Sequence, residues 1–395
     1  MQVKTEMKRR ILVYTVTAGE GHNSIARTIK DKLMENPDNE VKLVNFFEQY
    51  SNKVKVNLIN NGYLMACKYL MPAYNYYFKI MQKTNPEKRF KNWFQKRVHK
   101  EIPYMLKDIQ NFKPDIIGCT HMYGGIAVTI TRQKQTLDIP TVQLLTDYTV
   151  HPYWESCIGV DYLITPSSSM DKDLILKGFK KNQLISLGLP TREDFSKVQN
   201  KIKSREKLGL KENMFTVLLF LGGGGMTSIE KLVKPLIKIS KPLQILVVNG
   251  KDKKSKKSID NFIKKKKQKT IHEFKSYGFI DFISSLMDAS DIVVNKCGCT
   301  VANEVLNKNK PFVIIHNLPQ QELDNMKYLV QNKAAIYLTK KQSLNSVICD
   351  LMNHPSKMKA LEENTKKLSR PTATKDICSF IEKTADDKKN NYNPN

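Results

Sequence analysis

The sequence is poor in long apolar runs and in acidic residues, and each shortage excludes something. Its longest apolar stretches, such as TVLLFL and LQILVV, have the length of strands and fall far short of the roughly 20 residues that cross a bilayer. Any membrane contact is therefore expected to be peripheral. Asp and Glu number only 38 against 65 Lys and Arg, a formal net charge of +27. That excess favours an anionic partner, whether a phosphorylated ligand, a phospholipid surface or nucleic acid, and it carries no information about the fold. Paired cysteines are missing too: the seven, at 67, 119, 157, 297, 299, 349 and 378, are odd in number and scattered, so no disulfide framework is expected. The opening MQVKTEMKRR lacks the apolar core and small-residue cleavage site of a secretory signal, and a reducing cytoplasm is the expected home. Neither GxGxxG with its distant acidic residue nor a Gly-Lys-Ser/Thr loop occurs, which counts against nicotinamide enzymes and P-loop kinases.

What is present is a regular alternation. At 395 residues the chain exceeds the ~100–200 of a typical domain. Short β-branched apolar runs separated by helical stretches predict βα units around parallel sheets buried on both faces. Strands are expected at 10–16, 41–45, 115–119, 141–145, 162–165 and 184–187. A second series is expected at 215–221, 243–248, 270–274, 292–294, 311–316 and 335–338. The polar stretch PTREDFSKVQNKIKSREKLGL separates the two series. This predicts an α/β protein with a first domain over 1–195, a second over 206–370, a C-terminal helix over 371–384 packing back on the first domain, and a disordered tail over 385–395. Residues 51–112 interrupt the first domain with helical, mixed aromatic and basic sequence suited to an interface. KDKKSKKSIDNFIKKKKQK reads as a solvated loop or helix face.

Ligands of doubly wound sheets sit beyond the carboxyl ends of the strands, so the segments that follow strands carry the candidate chemistry. ILVYTV leads into TAGEGHNSIAR, with Gly21 and His22 at a helix entrance. A neutral imidazole there can take a proton from a hydroxyl; a helix cap or a packed histidine is the alternative. TVLLFL leads into a four-glycine run, where bare backbone can approach a diphosphate, and a plain connecting turn is the alternative. DIVVNKCGCTVANEVL places Gly298 after a strand and Glu304 on the helix that follows. PFVIIHNLPQQELDN supplies Gln321, Glu322 and Asn325, polar groups able to grip sugar hydroxyls or to cap a helix. Cys297 and Cys299 make a poor metal pair without partner ligands nearby, and Asp171-Lys-Asp173 reads as surface charge; no metal and no cofactor is expected.

Taken in order, these segments resemble the monogalactosyl and processive diacylglycerol glycosyltransferases of glycosyltransferase family 28, relatives of the peptidoglycan-precursor N-acetylglucosaminyltransferase. TAGEGHNSIAR and LLTDYTVHPYW match in the first half; FLGGGGM, VVNGK, YGFIDFISSLMDASDIVVNKCGCTVANE and LPQQELDN match in the second. The chain departs from the family at Lys296-Cys297-Gly298-Cys299-Thr300-Val301, commonly Lys-Pro-Gly-Gly-Leu-Thr, and at Pro319-Gln320-Gln321-Glu322, commonly Pro-Gly-Gln-Glu. The resemblance implies the GT-B architecture, two Rossmann-like domains facing across a cleft. It implies backbone contacts from Gly224, Gly225, Met226, Gly298, Thr300, Val301 and Ala302 to a diphosphate, with Asn249 on the mid-sheet turn. It places uracil at Phe279 and Ile280, ribose at Glu304, and a hexose at Gln321, Glu322 and Asn325. His22 and Asp147 become the candidate catalytic residues, and Gly21, His151 and Trp154 the acceptor side.

The function so implied is inverting transfer of a hexose, glucose by default, from a UDP-sugar co-substrate to diacylglycerol or a glycosyl-diacylglycerol. The enzyme is expected on the cytoplasmic face of the cell membrane, held to an anionic surface by Tyr76, Tyr77, Phe78, Trp93, Phe94, Lys96 and Arg97. Alternatives are transfer of N-acetylglucosamine to a polyprenyl-linked acceptor, UDP-sugar epimerisation, a donor-binding homologue without catalysis, and nucleic-acid binding. The last lacks any recognition motif beside the lysines.

Overall fold

A computed structural model describes residues 8–17, 20–50, 70–83, 87–134, 137–221, 228–266, 269–316 and 318–391. The chain divides into two compact units. The first comprises Met1–Tyr63, Asn75–Arg192 and Thr372–Asn395; the second comprises Leu64–Tyr74 and Glu193–Pro371. Each unit holds a six-stranded sheet in which every pairing is parallel.

The first sheet is built from β1 (Arg9–Thr15), β2 (Asn39–Asn45), β3 (Ile116–Cys119), β4 (Thr141–Leu144), β5 (Tyr162–Thr165) and β6 (Leu184–Ser186), in the order β2-β1-β3-β4-β5-β6. Because β1 connects to β2 on one side while β3 lies on the other, the strand order reverses between β1 and β3. A crevice opens at such a point beyond the carboxyl ends. On one face the buried helix Met122–Lys134 lies close to the sheet. Gly124 and Gly125 make this approach necessary as well as possible. A Cβ on Gly124 would stand 2.7 Å from Cys119 Sγ, and one on Gly125 would stand 2.6 Å from Gln143 Oε1. The helix Glu87–Phe112 adds Val98, Met105, Ile109 and Phe112 to the same core, a stripe at helical spacing.

The other face is covered from both ends of the chain. Ile25, Ile29 and Leu33 of the helix Glu20–Met34 meet Ile377, Ile381 and Ala385 of the C-terminal helix Ala373–Asn391. That helix corrects the expected disordered tail over 385–395, since residues 385–391 are helical. Ala385 continues its buried four-residue spacing. Asp386 pairs with Arg9 at 2.9 Å and Lys389 with Asp115 at 3.1 Å, so its charged end is tied to the sheet. Thr374 Oγ1 donates to Thr191 O at 2.7 Å and accepts from Thr191 N at 3.0 Å, joining the departing and returning chain.

The second sheet comprises β7 (Phe215–Phe220), β8 (Leu243–Val248), β9 (Glu273–Tyr277), β10 (Ile292–Asn295), β11 (Phe312–Ile314) and β12 (Ala335–Tyr337), ordered β12-β11-β10-β7-β8-β9. Its reversal lies between β7 and β10. The expected strand over 270–274 is displaced to Glu273–Tyr277, because this edge strand is half-buried throughout and has no apolar run to mark its start. The lysine-rich segment forms the helix Lys253–Lys266, anchored by Ile259 and Phe262. Charge is buried where the unit needs a clamp. Lys308 Nζ lies 2.7 Å from Asp288 Oδ2, both side chains being at most 1% exposed. Arg205 pairs with Asp291 at 2.7 Å and donates to Ala289 O, which holds the short helix Lys201–Lys207 to this unit.

Candidate active site

In the first unit, chemistry gathers where β1, β3 and β4 end. His22 sits in the first turn of the helix Glu20–Met34, beside Gly21. Its Nδ1 lies 3.0 Å from the carbonyl oxygen of Thr120, directly after β3, and 3.2 Å from Thr146 Oγ1, after β4. A carbonyl only accepts, so Nδ1 carries the ring proton and Nε2 presents the lone pair. Burial lowers the pKa of His22 below the ordinary 6.5, with the Thr120 bond acting in the opposite sense. The ring is thus a neutral base at neutral pH. Thr120 Oγ1 donates to Thr15 Oγ1 at 3.0 Å, and Asn23 bonds Thr15 and Thr17, so the strand ends and the helix entrance form one network.

Two further histidines stand here. The ring of His121 meets that of His22 edge to face, centroids 4.5 Å apart. Burial, His22 and His151, in that order, hold the pKa of His121 well below 6.5. His151 is buried and lies 5.6 Å from the ring of Trp154. Asp147 is half-buried in the same turn. Trp154, expected either on the acceptor side or in a structural role, is a core residue only 2% exposed, and its Nε1 has no partner among the described residues. It shapes the site from beneath. His121 escaped the sequence reading because CTHMYGG belongs to none of the matched motifs. The signal that finds it is its place right after a buried strand, the same rule that selected His22.

In the second unit the corresponding region lies beyond β7, β10 and β11. Gly224, Gly225 and Met226 of the glycine run fall outside the described residues. After β10, Gly298 caps the helix Cys299–Asn307. Ala302, expected among the diphosphate donors, is corrected: its N–H is spent on Gly298 O at 2.9 Å. Thr300 and Val301, two residues and one residue earlier, are first-turn amides without intrahelical acceptors. Glu304 is half-buried on this helix. Glu322 lies close by: a Cβ on Gly298 would come 3.8 Å from its Oε1. Lys296 Nζ stands 3.7 Å from the same oxygen. Burial raises the pKa of Glu322 while Lys296 opposes the rise. Gln321 Nε2 donates to Tyr74 Oη at 2.5 Å, and Asn325 Nδ2 to Cys297 O at 3.4 Å.

The ends of β10 and β11 hold a concentration of unspent polarity. Asn295 Nδ2, His316 Nδ1, Gln320 Oε1, Gln321 Oε1 and Glu322 Oε2 are all buried without a partner among the described residues. Buried polar atoms are almost always satisfied, so five such atoms around one strand-end region leave bonding capacity that a polar ligand, water or residues outside those described can meet. Asn295 and His316 were not singled out in the sequence, and Gln320 was named there only as a departure from the family pattern. Asn249 behaves otherwise. Its side chain is committed to Ser255, Ser276 and Tyr277, which makes it a brace between β8, β9 and the helix Lys253–Lys266. Phe279 is 71% exposed, with Lys251 Nζ 5.4 Å from its ring centre, and Ile280 beside it is half-buried. Phe279 lines a groove of 630 Å³ together with Gly250, Gly278, Lys251, Lys253, Lys256 and Lys257, and Ile280 is not among its walls.

Of the expected membrane contacts, Tyr76 is 69% exposed on the helix Met71–Lys83 and Lys96 is exposed on Glu87–Phe112. The side chains of Tyr77, Phe78, Trp93, Phe94 and Arg97 lie outside the described residues. No helix among the described residues is long and apolar enough to cross a membrane.

Comparison with known proteins finds likeness over nearly the whole chain. Residues 22–191 match the family model of monogalactosyldiacylglycerol (MGDG) synthase, and residues 216–377 that of the glycosyltransferase family 28 C-terminal domain. The processive diacylglycerol beta-glucosyltransferase of Bacillus pumilus is 24% identical over 96% of both chains. Monogalactosyldiacylglycerol synthase 3 of Arabidopsis thaliana is 26% identical over 96% of this chain and 82% of its own. Among solved structures, Acinetobacter baumannii MurG superimposes with a TM-score of 0.65 at 14% identity, covering 95% of this chain and 99% of that one. The two Rossmann-like units are those of the GT-B fold, and the chain is a glycosyltransferase belonging to the monogalactosyldiacylglycerol synthase and processive diacylglycerol beta-glucosyltransferase family, within glycosyltransferase family 28.

Proposed function

We propose that the protein transfers a hexose, glucose by default, from a UDP-sugar to the hydroxyl of diacylglycerol or a glycosyl-diacylglycerol, with inversion at the anomeric carbon. The observation that carries this reading is the set of five orphaned polar atoms at the ends of β10 and β11. Donors and acceptors intermingled at that density suit the hydroxyls of a sugar. The first-turn amides of Thr300 and Val301, with the positive end of their helix, suit the departing diphosphate. Glu304 suits the ribose, and the backbone at Phe279–280 the uracil.

In the first unit His22 Nε2 takes the proton of the acceptor hydroxyl as its oxygen attacks. Thr120 fixes the tautomer, and Asp147 orients the acceptor. The names of the relatives support a diacylglycerol acceptor. The exposed Tyr76 and Lys96, with the excess of lysine and arginine, support action at an anionic membrane surface on the cytoplasmic side. No resident cofactor enters this scheme.

The test is incubation of the full chain with diacylglycerol vesicles and a panel of labelled UDP-sugars, followed by lipid extraction. A β-linked glucolipid is the expected product. Transfer only to a polyprenyl-linked acceptor, or turnover of the UDP-sugar without any lipid, would replace this reading.

A further inference from the structure

His22 has a counterpart. We infer that His121 donates a hydrogen bond to the acceptor oxygen, so that two neutral imidazoles of opposite tautomer hold one hydroxyl between them. The inference rests on His22 being the base.

The backbone N–H of Tyr123 donates to His121 Nδ1 at 3.1 Å. That nitrogen therefore bears the lone pair, and in the neutral ring the proton is on Nε2. In His22 the arrangement is reversed, because Nδ1–H is turned to the Thr120 carbonyl and Nε2 bears the lone pair. The two rings meet at 84° with centroids 4.5 Å apart. Both residues are half-buried, and the hydrogen bonds that hold the two rings among the described residues run through Nδ1 in each, away from Nε2. One nitrogen that only donates and one that only accepts thus stand apart from those bonds in the same crevice.

A hydroxyl matches this pair. Its proton goes to His22 Nε2, one lone pair of its oxygen accepts from His121 Nε2–H, and the other attacks the anomeric carbon. The O–H bond breaks as the new glycosidic bond forms, and the bond from the anomeric carbon to the diphosphate breaks with its electron pair leaving on UDP. The proton on His22 then passes to water. His121 stabilises the negative charge that the oxygen gains as it loses its proton. A protonated His121 would lose the Tyr123 bond and repel the charge arriving on His22, which is why its neutrality matters.

His121→Asn and His121→Gln separate this role from a structural one. Asparagine keeps an acceptor near the position of Nδ1 for Tyr123 but has nothing at Nε2; glutamine carries an N–H near the position of Nε2. Both are compared with wild type and His22→Ala, as full chains, on diacylglycerol vesicles with labelled UDP-glucose. UDP affinity and melting temperature are measured alongside. The expected result is a fall in transfer of about tenfold or more for His121→Asn and recovery to within about threefold for His121→Gln. UDP affinity and melting temperature stay unchanged. Full transfer by His121→Asn while His22→Ala is inactive overturns the donor role and leaves the base in place, as does a His121→Gln as slow as His121→Asn. Full transfer by His22→Ala, or none by the wild type, overturns the reading beneath and the pair with it.

Discussion

The 3.0 Å approach of His22 Nδ1 to the carbonyl of Thr120 decides which nitrogen of this histidine can act as a base. The contact depends on β3 lying beside β1, with Tyr14 opposite Cys119 in the parallel register. The residue that orients the base is therefore distant in sequence and adjacent in the sheet.

Transfer should persist into mildly acidic solution. Burial holds His22 below the ordinary imidazole value of 6.5, so the base remains unprotonated through that value and the acid limb of the rate falls below it. A pH profile of kcat on vesicles checks this. A limb centred above 6.5 would contradict the environment described here.

Stability should move with pH in the same direction. His22, His121 and His272 are all lowered, chiefly by burial. The unfolded chain, with ordinary imidazoles, takes up protons first as pH falls, and ∂ΔG/∂pH is positive wherever it binds more of them. The stability tied to these groups is complete above about 6.5 and declines below that value. Urea unfolding at pH 7.5 and 5.5 should give a lower midpoint at the acidic value; equal midpoints would show that these histidines are not desolvated.

The clamp at the base of the second unit should be costly to break. Lys308 is wholly buried against Asp288 and also donates to Lys197 O at 2.6 Å. Lys308→Met leaves a buried carboxylate without its cation, a loss of about 3–5 kcal/mol. Denaturant titration that finds less than about 1 kcal/mol would mean that water reaches Asp288.

Gly125→Ala should disturb the first unit by overpacking. The added Cβ meets Gln143 Oε1 at 2.6 Å and Cys157 Sγ at 3.1 Å, and a destabilisation of about 1–3 kcal/mol is expected. An unchanged melting temperature would show that the helix Met122–Lys134 can lift from the sheet at no cost.

Glu322→Gln should alter how the donor sugar is held and leave the nucleotide alone. Its Oε2 is one of the orphaned atoms, while Oε1 faces Lys296 at 3.7 Å. The amide keeps the size and turns one acceptor into a donor. UDP-sugar KM should rise about tenfold while the affinity for UDP alone is retained. Equal loss for UDP and UDP-sugar would move Glu322 away from the hexose.

Much of the architecture was readable in the residues. The buried parallel strands announce themselves as short apolar runs such as TVLLFL, and His22, Gly298, Gln321 and Glu322 follow strands as ligand-side residues do in such sheets. The edge strand Glu273–Tyr277 was misplaced because it is half-buried throughout and lacks the contrast that marks a core strand. The helix through residues 385–391 was missed because its order comes from Arg9 and Asp115, both far away in the sequence. Asn295 and His316 were invisible as site residues for a related reason. Their importance lies in what their atoms lack, and a missing partner appears only once the neighbours are in place.

The most direct measurement is the rate of labelled glucolipid formation on diacylglycerol vesicles by His22→Ala, with UDP affinity determined on the same preparation. The account predicts a loss of about 10²-fold or more with UDP bound as tightly as by the wild type. Wild-type turnover by this variant would contradict it.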